Sequence, residues 1–167
     1  MPRCESFPFV ADGDARVLVL GSMPGIASLR AGQYYAHPRN AFWPIVFSLW
    51  NEELASDYAR RLAFARAHRI ALWDAARACE REGSLDTAMR SVEFNDFAAL
   101  FAFAPGIHTV LCNGAAAHAL FLKSGFAQGK GLCVYKMPST SPAYTRPFEE
   151  KRVAWQRLRS AAEEEMP

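Results

Sequence analysis

The sequence predicts an α/β fold: a four-stranded parallel sheet with helices on both faces. Three observations carry that expectation. Four short apolar runs rich in Val, Leu and Ile, at 16–20, 70–73, 108–112 and 132–136, have the length and composition of buried strands. Helical patterns lie between them, and strands alternating with helices pair in parallel through right-handed crossovers. Each run opens into a segment rich in Gly, Pro or small polar residues, at the end of the sheet where such folds bind ligands.

The elements come in order along the chain. After the first strand comes a polar and aromatic stretch, Gly21 to Asn40. A plain strand-to-helix connection needs only about 2–6 residues, so this length points to function. Helices are expected at 41–50 and 54–68, the second with apolar residues three and four apart in "SDYARRLAFARAH". Asn95 stands as the N-cap of a helix over 96–103, which stops at Pro105-Gly106. A helix over 114–123 ends at Gly125. The last, 147–162, opens on Pro147, with Glu149 and Glu150 suiting the positive end of its dipole. No repeat, low-complexity tract or linker breaks the chain, so residues 1–167 read as one domain.

Composition narrows the classes. A net charge of +2 is too small to diagnose nucleic-acid binding. Most of the basic residues are Arg, which suits phosphate contacts and solvated helix faces alike. Cys4, Cys79, Cys112 and Cys133 form no CxxC pair and have no His at zinc spacing, so neither metal nor cofactor is expected. The start of the chain lacks the basic and apolar regions of a signal peptide, and no apolar run approaches the roughly 18 residues that span a bilayer. A cytoplasmic monomer with reduced thiols is the expectation.

Two loops hold the candidate chemistry. "GSMPG" supplies Gly21, Ser22, Met23, Pro24 and Gly25, but neither nucleotide-binding Gly motif, so it is a tight turn or a loop that lets a ligand approach closely. "QYYAHPRN" gathers Tyr35, His37, Arg39 and Asn40: stacking faces, a phosphate-compatible charge and an amide. Asn40 stands where a helix N-cap would, and equally where an amide would orient a water. Phe42 is core, or a stacking face at the mouth. Asp74, at a strand end, either accepts a hydrogen bond from a ring N–H or caps the next helix. In "MPSTSPAYTRPF", Ser139, Thr140 and Ser141 offer hydroxyl and N–H donors to a phosphodiester, with Tyr144 and Arg146 beyond them. A rigid connector is the plainer reading of that loop.

These residues carry a resemblance. "VLVLGSMPGIASLRAGQYYAHPRNAFW", "IALWDAARACEREGSLD" and "MPSTSPAY" resemble the uracil-DNA glycosylase superfamily and, within it, the DNA-deoxyinosine (hypoxanthine-DNA) glycosylase family. The resemblance runs from about Arg16 to Trp155 and implies a three-layer α/β/α sandwich. Uracil-cleaving members often carry a catalytic Asp or Asn early in the first loop, where this chain has Ser22 and Met23. "MPSTSP" also lacks their second-motif His. The resemblance therefore implies hypoxanthine as the chief base, with Asn40 in the catalytic position.

The implied reaction is hydrolysis of the N-glycosidic bond of a deaminated base flipped out of double-stranded DNA. Asn40 would position the attacking water and Phe42 would stack on the base. Tyr35, His37, Asp74 and residues 21–25 would contact the base, while Ser139, Thr140, Ser141, Tyr144 and Arg146 hold the DNA. None of the four lysines falls in these loops, so no Schiff-base strand nicking is expected. The rival readings are a broader uracil or xanthine glycosylase and a damaged-DNA binding module that does not cut.

Overall fold

The computed structural model describes residues 2–164. Four parallel strands form its centre: β2 (Val17–Gly21), β3 (Ile70–Asp74), β6 (Thr109–Asn113) and β7 (Cys133–Met137), in the order β3-β2-β6-β7. Each ends one residue later than the apolar pattern indicates. That one residue matters, because it makes Gly21, Asp74 and Asn113 the terminal residues of neighbouring strands.

Strand side chains alternate between the two faces, and each face has its own helices. Val17, Val19, Ile70 and Leu72 pack with α2 (Phe42–Leu49), α3 (Tyr58–Ala67) and α6 (Phe148–Glu163). Leu18, Leu20, Ala71 and Val110 pack with α4 (Phe97–Phe103) and α5 (Ala115–Ser124). This is a three-layer α/β/α arrangement. All five expected helices form, with α3 starting at Tyr58 behind an Asp57 cap rather than at 54.

Three elements escape the sequence pattern. β1 (Arg3–Glu5), β4 (Ala76–Glu80) and β5 (Arg90–Phe94) make a second, antiparallel sheet in the order β1-β4-β5. "ARACE" has little intrinsic strand preference; its pairing with both neighbours decides its state. The first long loop also contains a short helix, α1 (Ile26–Ala31), closed by Gly32 in the left-handed region at φ 65°. Among the described residues no helix is long and apolar enough to cross a membrane.

The helix cap expected at Asn95 is corrected. Asp96 caps α4, its carboxylate accepting from the Ala99 N–H. Asn95 is buried, and its side-chain amide donates to the Asp74 carbonyl at 2.7 Å. It supports the backbone of β3 where that strand ends.

Candidate active site

A cavity of about 470 Å³ opens at the carboxyl ends of β2, β3 and β6, within the usual size range of small-molecule sites. Its wall joins segments far apart in sequence: the 21–25 loop, the 35–40 turn, Asp74, Asn113, and the loop after β7.

The floor is built on a missing side chain. A Cβ on Gly21 would stand 2.4 Å from Asp74 Oδ1 and 3.6 Å from the Tyr35 hydroxyl, so both polar groups converge on space that only glycine leaves open. Asp74 is 4% exposed, and its Oδ2 has no hydrogen-bond partner. Burial is the main reason its carboxyl is pushed up to about 7; the nearby Asp86 charge adds to the rise, and Arg81 opposes it.

Tyr35 is held in the left-handed region at φ 57°, a conformation that costs a non-glycine residue energy and recurs at functional sites. The turn sends consecutive tyrosines in different directions. Tyr34 enters the core, where its hydroxyl donates to the Pro8 carbonyl and its own carbonyl accepts from the Trp43 indole. Tyr35 lines the cavity, and its buried hydroxyl has no hydrogen-bond partner. Burial raises that phenol far above its ordinary range; Asn113 lies near enough to offset a little of the rise without an aligned hydrogen bond.

Asn40 lines the same cavity. Its Oδ1 accepts from the Phe42 N–H at 2.9 Å, which opens α2, while its Nδ2 has no protein partner among the described residues. The N-cap position itself is Ala41, one residue later than expected, so Asn40 caps α2 from just outside by holding its first N–H while presenting an amide to the cavity. His37 Nδ1 accepts from the Arg39 N–H at 3.0 Å, and the His37 carbonyl accepts from the Asn40 N–H.

The expected stacking face is corrected. Phe42 is fully buried and does not line the cavity; Tyr35 covers it, ring centroids 4.0 Å apart. The aromatic face that the cavity presents is thus that of Tyr35. Thr140 is 1% exposed, with its N–H donating to Asn113 Oδ1 at 2.9 Å and its hydroxyl accepting from Asn113 Nδ2 at 3.0 Å. Its carbonyl accepts from the Ala41 N–H. Thr140 fastens the loop to the strand end and to α2 with its N–H and carbonyl, lines the cavity, and keeps its hydroxyl proton uncommitted among the described residues. Tyr144 and Arg146 do not line the cavity; the Tyr144 ring lies under the Lys151 ammonium, and Arg146 faces Glu150.

Ser139, Ser141, Ser22, Met23, Pro24 and Gly25 do line it. Ser139 packs against Gly114, whose φ of +100° would strain any side chain and where a Cβ would stand a tight 3.2 Å from Ser139 Cβ. Lys151 enters the region by tertiary packing alone. Its buried amine donates to the Ser141 carbonyl from behind the loop, and desolvation lowers its pKa. It is not among the cavity-lining residues.

Sequence reasoning missed Asn113 and Asp86. Both lie in segments singled out as polar strand-end connections, but only the fold brings them to the cavity. Asp86 Oδ1 accepts a hydrogen bond from Ser22 Oγ at 2.5 Å across 64 residues of sequence. Among the described residues no cluster of His, Cys, Asp and Glu could hold a metal ion.

Comparison with known proteins agrees with this architecture. The family model of the uracil DNA glycosylase superfamily matches residues 7–159. A hypoxanthine DNA glycosylase from Methanosarcina barkeri is 42% identical over 111 residues, covering 66% of this chain and 70% of the relative. One from Methanosarcina acetivorans is 34% identical over 153 residues, covering 91% and 95%. The solution NMR structure of a candidate uracil DNA glycosylase from Methanosarcina acetivorans superposes with a TM-score of 0.84 at 31% identity, covering 98% of this chain and all of that one. The chain belongs to the uracil DNA glycosylase superfamily.

Proposed function

We propose that this protein is a monofunctional DNA glycosylase that releases hypoxanthine from deoxyinosine in double-stranded DNA. Its class, a glycosylase for deaminated bases, follows from the family and from the two hypoxanthine DNA glycosylases it resembles over most of its length. Rejection of adenine rests on one observation: a buried carboxyl, Asp74, at the floor of the cavity with an unpartnered oxygen. The choice of hypoxanthine among deaminated bases rests on the two relatives.

Hypoxanthine carries a ring N–H where adenine carries a bare ring nitrogen. An ionised carboxylate accepts from the first and repels the lone pair of the second. A buried acceptor left unpaired costs about 1–3 kcal/mol, so the difference favours the deaminated base. Tyr35 offers its ring as a stacking face, and Gly21 lets the base edge come close to the backbone. Ser139 and Ser141 contact the phosphates of the extruded nucleotide.

The reaction begins when the base leaves the stack and fills the cavity, at a cost of a few kcal/mol that a mispaired inosine lowers. As the C1′–N9 bond lengthens, positive charge grows on the sugar. Asn40 holds the attacking water through its free amide edge while Oδ1 stays on the Phe42 N–H, so the helix that the residue caps also fixes its reach. The enzyme works as a cytoplasmic monomer, without metal or cofactor.

The test is abasic-site formation on duplexes containing hypoxanthine, xanthine or uracil. Hypoxanthine should be released fastest, with uracil slower by orders of magnitude. Equal rates on all three would establish the broader glycosylase, and tight binding without any abasic product would establish a non-cutting module.

A further inference from the structure

One carboxylate in the cavity wall takes no part in water positioning or base recognition. Asp86 begins the 3₁₀ turn Asp86–Ala88 in the connection between β4 and β5, and its side chain is solvent-exposed at the cavity. The connection is tied to the 21–25 loop region at three points. Arg81, 1% exposed, donates to the Pro24 carbonyl; Ser84 Oγ accepts from the Ile26 N–H at 2.8 Å; and Asp86 Oδ1 accepts from Ser22 Oγ. Two of these ties precede Asp86 in the chain and the third is its own, so its carboxylate is held in place while Oδ2 has no partner among the described residues.

Hydrolysis leaves a proton to be removed. When water bonds to C1′, one of its hydrogens must go to a base, and an amide such as Asn40 is too weak a base to take it. The other titratable groups of the wall are unsuited. His37 uses Nδ1 to accept from the Arg39 N–H, so its neutral ring carries the proton on Nε2 and has no free lone pair. Tyr34 and Tyr35 are phenols raised by burial, and Arg39 is a cation. Asp74 lies against Gly21 at the floor, where the base edge belongs.

Asp86 remains. We infer that Asp86 is the general base of the reaction, taking the proton of the water that Asn40 positions. The inference rests on the proposed glycosylase reading of the same site. In the step, the water oxygen bonds to C1′ as the C1′–N9 electron pair leaves with the base. The water proton passes to Asp86 Oδ2, and the departing base regains a proton from solvent. Before that transfer, the carboxylate charge favours the cationic sugar.

Asp86→Asn tests this, because the amide oxygen still accepts the Ser22 proton while the charge and basicity are gone. Single-turnover release of hypoxanthine should slow by about 100-fold or more at saturating enzyme, with the fold and duplex binding retained. A purely structural Asp86 predicts a rate within about threefold of wild type, and that result overturns the inference. Wild type is measured first: if it releases no hypoxanthine, the glycosylase reading itself fails, a separate outcome. If Asp86→Asn does not fold, Asp86→Ala with added formate decides, since a small carboxylate restores a missing base but not a missing tie. Rescue supports the role, and a folded variant without rescue removes it.

Discussion

Asp74 Oδ1 lies 2.4 Å from the point where a Cβ on Gly21 would stand. The two residues end neighbouring strands and are paired in register, so the floor of the cavity is one glycine facing one carboxyl. Gly21→Ala should therefore displace the Asp74 side chain. We expect a loss of about 1–3 kcal/mol in stability from overpacking, and a far larger loss of hypoxanthine release. Thermal melts and single-turnover assays on the same preparation check this; near-normal release would show that the carboxyl is not needed where it stands.

Asp74 couples stability and activity to pH in opposite senses. Its folded pKa is about 7 against an ordinary 3.8, so between those values the folded chain holds a proton that the unfolded chain has released. Stability from this group is full below pH 4 and falls as pH rises to about 7, at about 1.4 kcal/mol per unit. Binding of a base N–H needs the ionised form, so kcat/KM should rise through the same region. Asp74→Asn should flatten both slopes and raise the melting temperature at pH 8. A variant whose stability keeps the wild-type pH profile would assign the effect to another group.

Asn40 has two roles that substitution separates. Asn40→Ser keeps an oxygen to accept from the Phe42 N–H but shortens the reach into the cavity. It should fold, bind inosine duplex and release hypoxanthine orders of magnitude more slowly. Asn40→Ala should lose a further 0.5–2 kcal/mol or so of stability through the lost cap. Near-normal cleavage by the serine variant would reduce Asn40 to a cap.

The product should be an intact abasic strand. Lys151 is the one lysine drawn to the region, and its amine is spent on the Ser141 carbonyl behind the loop. Treated inosine duplex should break only after alkali or heat. A protein–DNA adduct trapped by borohydride, lost in Lys151→Gln, would show that this lysine reaches the abasic sugar.

The sequence by itself determined the sheet, the helices and the reactive loops, because apolar periodicity and Gly/Pro punctuation are local signals. Four strand runs and five helices were legible to within a few residues, and "QYYAHPRN" marked the loop that lines the cavity. Local signals could not say which way a side chain turns. Phe42 and Tyr35 are both aromatic and seven residues apart, yet the left-handed backbone at Tyr35 sends its ring over Phe42 and takes the cavity face for itself. Nor could they pair residues distant in sequence. Thr140 with Asn113, Asn95 with the Asp74 carbonyl, and Ser22 with Asp86 are hydrogen bonds across 27, 21 and 64 residues. Each needs the sheet to be formed first, since strand order alone brings those ends together. The weakly strand-forming "ARACE" obeys the same logic, its state fixed by partners on either side rather than by its own propensity.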